Sequence, residues 1–335
     1  MPRRSLADLA PGDLVDDVFL VASKQSRADR QGNLYLTLDL RDPTGNISAR
    51  VWNVTKSLAD SFESGDFLKV RAKAQYAQGI TQLVVSHLEA VDPARLGLDP
   101  AAFLPKAPVS IAVLTSQLRG FLKSLDDPHL KALCDAFLMD DAFLADFTAV
   151  PAGVREHHAY QGGLLEHVVA MMTLASTVGE LYPEVNRDLL LVGCFLHDVG
   201  KVRELSHQRG FDYTDEGQLV GHLSLGVSMV EEKLPLVQRL LGEPFPPETL
   251  LRIKHMILSH HGTLEFGSPK LPMTPEAVAL HHLDALDSKL HAALREIRDD
   301  PDTASRWTRY DPKRNRRLFK GSAPPAAGEG EEDLD

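Results

Sequence analysis

LLLVGCFLHDVGK, residues 189–201, predicts a helix that is apolar on every side and ends in His197 and Asp198. A helix without a polar face is buried in the core of a protein. Gly200, just beyond the last turn, is expected to adopt the left-handed conformation that stops such a helix. An imidazole and a carboxylate are costly to bury side by side, and a metal ion is one partner that compensates for this cost.

Further histidines lie at the ends or on the apolar faces of predicted helices. Any single one of them is best interpreted as a histidine of the core or the surface, but the whole set favours a metal centre. The set comprises five imidazoles and two carboxylates: His167 in helix 163–181, His197 and Asp198, His222 in helix 221–234, His260 and His261 at the end of helix 250–261, and Asp284 in helix 277–297.

This order, H, HD, H, HH, D, resembles that of the HD superfamily of metal-dependent phosphohydrolases. The residues around it resemble the YhaM type of 3'-5' exoribonuclease, which places an OB-fold before its HD domain. The motifs that carry the resemblance are GGLLEH (162–167), LHDVGKVREL (196–205), GH (221–222), ILSHHGTLEFGSP (257–269) and LHHLDALDS (280–288). The resemblance covers nearly the whole chain. In GGLLEH, the two glycines predict a tight entry to the helix that carries His167.

Seven nitrogen and oxygen ligands are too many for one four-coordinate zinc ion and suit two adjacent cations of octahedral type. The resemblance implies that Asp198 bridges these two ions. It assigns His167, His197, Asp198 and Asp284 to one ion, and Asp198, His222, His260 and His261 to the other. Ligation rich in histidine favours manganese, with cobalt, nickel or iron as alternatives and magnesium less favoured.

Three other residues near these motifs are candidates for catalysis or substrate binding. Lys201 follows Asp198 by about one turn, so it can hold a nonbridging phosphate oxygen or simply be a solvated lysine at a helix end. His158 and Tyr160 precede the GGLLEH motif and are candidate substrate contacts.

The composition is that of a soluble globular protein of about two domains, because 43% of the 335 residues are hydrophobic and 25% are charged. A net charge of -11 argues against general electrostatic attraction to nucleic acid. Cys134 and Cys194 lie in apolar patterns and are expected to be core residues in a reducing compartment. Since no signal region and no membrane-spanning run is recognised, a cytoplasmic protein without a membrane partner is expected.

Residues 13–90 predict a five-stranded OB-fold, with a short helix between the third and fourth strands. The strands are expected at 15–22, 34–40, 47–54, 67–76 and 81–88, and the helix at 55–62. OB-folds bind single strands by stacking bases on exposed aromatic rings over a positive groove. The candidates are Tyr35 and Trp52, which could equally belong to the barrel core, Tyr76, and Lys69, Arg71 and Lys73, which could equally be a solvated row.

The sequence therefore predicts an N-terminal five-stranded OB-fold barrel (1–92), a linker (93–108) and an all-α HD bundle (109–297). Its first helices are expected at 111–122 and 128–147. A segment at 298–320 follows and contains RWTRYDPKRNRRLFK, with seven basic residues among aromatic ones. Arg306 and Arg309 in it could contact a phosphate backbone, or the segment could dock on an acidic protein surface. Residues 321–335 are expected to be disordered.

Two classes of function remain open. The first is a metal-dependent 3'-5' exonuclease that hydrolyses single-stranded RNA, with single-stranded DNA as a second substrate, and that releases nucleoside 5'-monophosphates if it is like its family. The second is a phosphohydrolase of nucleotides or cyclic dinucleotides with a regulatory barrel. The barrel and the basic segment favour the exonuclease. A homo-oligomer is expected in either case.

Overall fold

The computed structural model describes residues 5–29, 31–77, 80–104, 109–153, 158–206, 211–300, 302, 305–312 and 314–321. An N-terminal barrel and a C-terminal helical domain each have a hydrophobic core of their own. The predicted fold class is confirmed. The predicted boundaries between the segments stay predictions.

The barrel consists of five strands and one short helix: β1 (Leu14–Ala28), β2 (Leu34–Asp42), β3 (Gly45–Val51), α1 (Lys56–Ala59), β4 (Phe67–Ala77) and β5 (Ile80–Val91). The sheet closes in the order β1-β2-β3-β5-β4, and β1 also pairs antiparallel with β4. All pairs are antiparallel except β3 with β5, which run parallel. The side chain of Thr55 caps α1 by accepting a hydrogen bond from the backbone N–H of Leu58, so the helix begins at Lys56; it ends at Ala59 and is shorter than predicted.

The segment after the barrel is not a free linker throughout. It forms two 3-10 turns, Pro93–Leu96 and Pro100–Phe103, and the side chains of Phe103 and Leu104 are buried against the barrel. The ring of Phe103 meets that of Phe67 edge to face, with 5.1 Å between the ring centroids. Burial of this kind fixes the end of the segment to the barrel.

The helical domain contains ten helices and one small two-stranded sheet among the described residues. Its first helices are α2 (Ile111–Lys123), α3 (Pro128–Leu138), α4 (Asp141–Phe147), α5 (Gly163–Leu181) and α6 (Arg187–Leu196). There follow α7 (Lys201–Glu204), β6 (Leu205–Ser206), β7 (Asp212–Tyr213), α8 (Asp215–Val220), α9 (His222–Leu241), α10 (Pro247–Ser259) and α11 (Pro275–Arg298).

Two predictions about this domain are wrong. The single helix expected at 128–147 is two helices, because Asp140 leaves the helical conformation and its side chain caps α4. Gly200 does not stop a helix in the left-handed conformation, since its φ is -63°. Helix α6 already ends at Leu196, and His197 and Asp198 lie in the turn that connects it to α7. By contrast, Gly262 has the positive φ of 83° expected of a helix stop.

The C-terminal basic segment folds back on itself beside the end of α11. Backbone hydrogen bonds join Thr308 to Leu318 and Asp311 to Arg316, and isolated bridges join Trp307 to Phe319 and Asp311 to Arg316. The ammonium of Lys320 pairs with Asp300 at 3.1 Å and so anchors the segment near α11. The tail predicted to be disordered lies, from residue 322 on, outside the described residues.

Helix α5 is long and apolar enough to cross a membrane by length and composition alone. Its buried residues belong to the core of the helical domain, and it packs against α6, α11 and α2. We therefore interpret it as a core helix. The two cysteines are free and buried, as predicted, and burial raises the pKa of both thiols.

Candidate metal centre

One group of four predicted ligands consists of Asp198 and three residues that gather on the side of one of its carboxylate oxygens. The Nε2 atom of His197 lies 3.3 Å from Oδ2 of Asp198, and the Nε2 atom of His167 lies 3.9 Å from it. The Nε2 atoms of His167 and His197 are 3.3 Å apart, and Oδ1 of Asp284 lies 3.5 Å from Nε2 of His167. Helices α5, α6 and α11 thus bring His167, His197, Asp198 and Asp284 together, in the grouping that the resemblance implied.

The other three predicted ligands meet around the second carboxylate oxygen of Asp198. The Nε2 atoms of His222 and His260 each lie 3.5 Å from Oδ1 of Asp198. The Nε2 atoms of His222 and His261 are 3.3 Å apart. Asp198 therefore stands between the two groups, with one oxygen facing each.

The Nδ1 atom of every one of the five imidazoles faces a hydrogen-bond acceptor. The five pairs are His167 with Asp287 (2.7 Å), His197 with the Cys194 carbonyl (2.9 Å), His222 with Glu204 (2.9 Å), His260 with the Ile257 carbonyl (2.9 Å) and His261 with the Phe266 carbonyl (2.9 Å). A carbonyl can only accept, so the proton lies on Nδ1 and the lone pair of Nε2 points into the centre. Metal-ligating histidines have partners of this kind.

One buried oxygen in the centre lacks a hydrogen-bond donor. Oδ1 of Asp198 has no hydrogen-bond partner, although the residue is almost wholly buried. Leaving a buried carboxylate oxygen without a donor is costly. Converging nitrogen lone pairs around such an oxygen would repel one another, whereas a divalent cation would bind all of them. The residues present therefore fit two divalent cations.

The charges around Asp198 keep the carboxylate ionised. Burial opposes its ionisation, but the charges around it, the Lys201 ammonium foremost, outweigh burial and hold the pKa of Asp198 well below its usual range. Burial, aided by the neighbouring His197 and His261, lowers the pKa of His260 to about 3, although its contact with Asp198 acts in the opposite direction. His260 is therefore neutral at physiological pH, as a metal ligand must be.

Lys201 lies inside the centre rather than at a solvated helix end. Its Nζ donates to Oδ2 of Asp198 and to the carbonyl of Ala152, each at 2.6 Å. Both bonds are internal to the protein, so they fix the orientation of the Asp198 carboxylate. The predicted contact with a phosphate oxygen stays a prediction.

His158 and Tyr160, predicted as substrate contacts, lie behind His167. The ring of His158 is 3% exposed, and its Nε2 lies 3.0 Å from Oδ2 of Asp287, the carboxylate that also holds His167. On the other side, Nδ1 of His158 lies 3.2 Å from Glu166 and 2.8 Å from the hydroxyl of Tyr160. Although burial opposes it, these carboxylates raise the pKa of His158. We propose that His158 positions Asp287 rather than substrate.

The sequence reasoning missed the residues that orient the ligands. Asp287 follows Asp284 by one helical turn, and Glu204 follows Lys201 by the same spacing. The spacing of one helical turn from a candidate site residue could have identified both carboxylates.

His281 packs against the loop after α10: its Nδ1 lies 2.8 Å from the carbonyl of His260, and a Cβ atom at Gly262 would lie 2.1 Å from its ring. Glycine at 262 is thus required by this packing as well as by its positive φ.

Gly200 is required for a different reason from the one predicted. A Cβ atom at this position would lie 2.0 Å from the carbonyl oxygen of His222 and 2.7 Å from the backbone nitrogen of Gly226. The absence of a side chain therefore lets the beginning of α9 approach the turn that carries Asp198. This approach places His222 beside the carboxylate.

The candidate nucleic-acid contacts of the barrel form two groups. The rings of Tyr35 and Trp52 lie 5.0 Å apart, the guanidinium of Arg50 lies 5.8 Å from the Trp52 ring, and Trp52 is 45% exposed. These rings are not both barrel core. Lys69 and Arg71 on β4 pair with Asp16, at 2.9 and 3.1 Å. Their charge is therefore partly neutralised, whereas Lys73 and Tyr76 are exposed.

Comparison with known proteins agrees with this architecture. The sequence profile of the HD domain matches residues 164–289, and that of the OB-fold nucleic acid binding domain matches residues 20–91. The chain is similar to the 3'-5' exoribonuclease YhaM of Bacillus velezensis, with 34% identity over 280 residues, which are 83% of this chain and 86% of that protein. The chain belongs to the YhaM family of 3'-5' exoribonucleases.

A second YhaM-family protein, the 3'-5' exoribonuclease of Bacillus subtilis, is 34% identical over 287 residues, covering 85% of this chain and 88% of that protein. Among solved structures, a domain of replication protein A from Methanococcus maripaludis is 22% identical. The matched region covers 27% of this chain and 96% of that domain, with a TM-score of 0.24. A score this low supports no argument about binding.

Proposed function

We propose that this YhaM-family chain is a metal-dependent exonuclease that degrades single-stranded RNA from its 3' end and releases nucleoside 5'-monophosphates. The single observation that carries the proposal is the pair of ligand groups that share Asp198. Two cations held close together suit the in-line hydrolysis of a phosphodiester. Similarity to two 3'-5' exoribonucleases over more than four fifths of the chain supports the direction of attack.

The residues of the chain would divide the work as follows. Asp198 would bind both cations. His167, His197 and Asp284 would complete the first site, and His222, His260 and His261 the second. When bound, the ions supply a water that is deprotonated near neutral pH and neutralise the charge of the scissile phosphate. Lys201 would hold Asp198 in the bridging orientation and place a positive charge beside the reacting phosphate.

We propose manganese as the metal and two ions per chain. Five imidazole nitrogens and two carboxylates are intermediate in softness, which favours manganese, cobalt, nickel or iron over magnesium. Magnesium prefers oxygen ligands and gives up its bound water reluctantly, so it suits this set less well.

The single strand would be held by the barrel and by the C-terminal basic segment. The exposed ring of Trp52 and the half-buried ring of Tyr35, with Arg50 beside Trp52, form an aromatic pair on which bases can stack. In the C-terminal segment, the guanidinium of Arg306 lies 4.9 Å from the ring of Phe319, and Arg309 lies nearby in sequence. We propose that both groups contact RNA. Lys69, Arg71 and Lys73 would contribute less, because Asp16 already pairs with the first two.

A labelled-strand experiment tests the direction of attack. A 5'-labelled single-stranded RNA incubated with manganese should shorten stepwise from its 3' end, and a 3'-phosphate should slow the reaction. A single-stranded DNA of the same sequence tests whether the chain also accepts DNA. Ready hydrolysis of a mononucleotide or cyclic dinucleotide, with RNA left intact, would support the phosphohydrolase with a regulatory barrel instead.

We also propose that the chain forms a homo-oligomer through α11 and acts in the cytoplasm. Leu286, Leu290 and Leu294 follow one another at four-residue spacing, share one face of α11 and are about half exposed. A row of exposed leucines is typical of a contact surface. Light scattering of Leu290→Glu should show a smaller mass than wild type, whereas Lys289→Glu on the neighbouring face should not. A monomeric wild-type protein would contradict this proposal.

A further inference from the structure

The metal centre is closed to solvent at some of its ligands and partly exposed at others. The side chains of His167, His197 and His260 are 0–1% exposed, whereas those of His222 and Asp284 are 13% and 19% exposed. His261 is also partly exposed. The opening is therefore bordered by the beginning of α9, by the loop after α10 and by α11.

Two of the segments at this opening carry exposed apolar side chains next to the ligands. Leu219 and Val220 end α8, three and two residues before His222 respectively, and Leu264 and Phe266 follow His261 in a short 3-10 turn. Leu219 is 86% exposed, Leu264 67% and Phe266 69%. We call Leu219, Val220, Leu264 and Phe266 the apolar collar. Nothing in the chemistry of phosphate binding requires apolar groups here.

The turn that carries Leu264 and Phe266 of the collar is fixed relative to the ligand His261. The carbonyl of Phe266 accepts the hydrogen bond from Nδ1 of His261 at 2.9 Å, so the residue that carries the ring also orients a ligand. The turn is closed by hydrogen bonds from the backbone of Phe266 to Thr263 and from Gly267 to Leu264. The buried hydroxyl of Ser268 then donates to the carbonyls of Leu258 and Lys270, at 2.9 Å each. An exposed ring on a rigid turn loses little entropy when it binds.

We infer that Phe266, with the rest of the collar, binds the 3'-terminal nucleobase of the strand whose phosphodiester lies at the metal centre. This inference rests on the proposed exonuclease function. A terminal base lies one nucleotide from the scissile phosphate and offers a flat apolar face. Stacking on an aromatic ring accepts any base, which suits an exonuclease that must process every sequence. The collar has no charged member, so it would recognise the base rather than the backbone.

Two RNA strands test the collar, one with a 3'-terminal adenosine and one with an abasic ribose at the same position. Loss of base stacking on one aromatic ring is expected to cost about 5- to 150-fold in binding. Phe266→Ala should therefore raise KM for the adenosine strand by about this factor and leave KM for the abasic strand nearly unchanged. Phe266→Trp should restore the low KM. The matched control is Leu251→Ala, because Leu251 on α10 is also 67% exposed but lies outside the collar.

Each outcome distinguishes the collar from the proposed function. If wild type degrades neither strand, the exonuclease proposal fails. If wild type degrades both strands with the same KM, and Phe266→Ala changes neither, the collar proposal fails while the exonuclease stands. Metal content is measured alongside, since a loss in Phe266→Ala would mean that His261 had moved. A change in mass by light scattering would show that the collar contacts a second copy, which would also overturn the inference.

Discussion

Replacing Asp198 by asparagine should remove both metal ions, because each of its oxygens faces a different ligand group. Oδ2 lies 3.3 Å from Nε2 of His197, and Oδ1 lies 3.5 Å from Nε2 of His222 and of His260. Loss of an outer hydrogen-bond partner alone costs about 10–100-fold in metal affinity. Loss of a shared charged ligand should cost more than this at both sites.

The matched control is Asp284→Asn, because Asp284 lies 3.5 Å from Nε2 of His167 and is assigned only to the group that contains His167. Elemental analysis after dialysis should give close to two ions per chain for wild type, about one for Asp284→Asn and close to none for Asp198→Asn. Retention of one fully occupied ion by Asp198→Asn would refute the bridging arrangement.

The same position allows a test of stability. Asp198→Ala would leave the ammonium of the buried Lys201 without its carboxylate partner, although the bond to the Ala152 carbonyl remains. Removing one partner of a buried ion pair costs about 3–5 kcal/mol of unfolding free energy. Denaturant unfolding in the presence of a chelator should therefore show Asp198→Ala to be less stable than Asp198→Asn, whose amide oxygen can still accept from Lys201. Equal stabilities would show that the Lys201 bond contributes little.

Three further predictions concern the barrel, the packing and pH. Trp52→Ala should weaken binding of single-stranded RNA by about 1–3 kcal/mol, measured by fluorescence anisotropy, and should leave hydrolysis of a small chromogenic phosphodiester unchanged. Gly200→Ala should lower both thermal stability and metal content, since its Cβ atom would lie 2.0 Å from the His222 carbonyl oxygen; a variant like wild type would contradict that reading. Burial lowers the pKa of His260 from 6.5 to about 3 in the folded, metal-free protein. Between pH 3 and pH 6.5, the unfolded chain therefore binds a proton at this histidine, whereas the folded chain does not. The unfolding free energy of the chelated protein should thus fall as pH drops below 6.5, with His260 contributing up to roughly 1.4 kcal/mol per pH unit. His260→Gln should flatten this slope.

The bounds of one ligand-bearing helix were predictable from the sequence because they are read from local patterns. The helix that carries His167 begins at Gly163 and ends at Leu181 as predicted, whereas α9 begins at His222 and ends at Leu241 rather than at residue 234. Apolar periodicity fixes the buried face of such a helix, and the polar residue that ends it stands out against that pattern. The barrel order follows from strand alternation in the same way.

Features that depend on contacts between distant segments could not be predicted. The role of Gly200 is set by the approach of α9, which no local pattern reveals. Whether the Trp52 ring faces the barrel core or solvent depends on how the sheet closes, because alternation alone does not say which face is inside. The burial of His158 beneath α11 is not visible in the sequence either, because it depends on Asp287, more than a hundred positions away.

The positions of the ligands at helix ends have a physical cause that the structure makes visible. The last carbonyls of an α-helix have no intrahelical donor. The carbonyl of Cys194 lies in the last turn of α6 and that of Ile257 in the last turn of α10, and each accepts from the Nδ1 atom of the histidine three residues later. The helix end thereby gains a donor, and the histidine gains a fixed tautomer with Nε2 free for a metal. A histidine placed one turn earlier would find these carbonyls already bonded within the helix. The HD and HH pairs therefore stand where a helix ends, because there the backbone of the same helix can orient His197 and His260 without the help of another side chain.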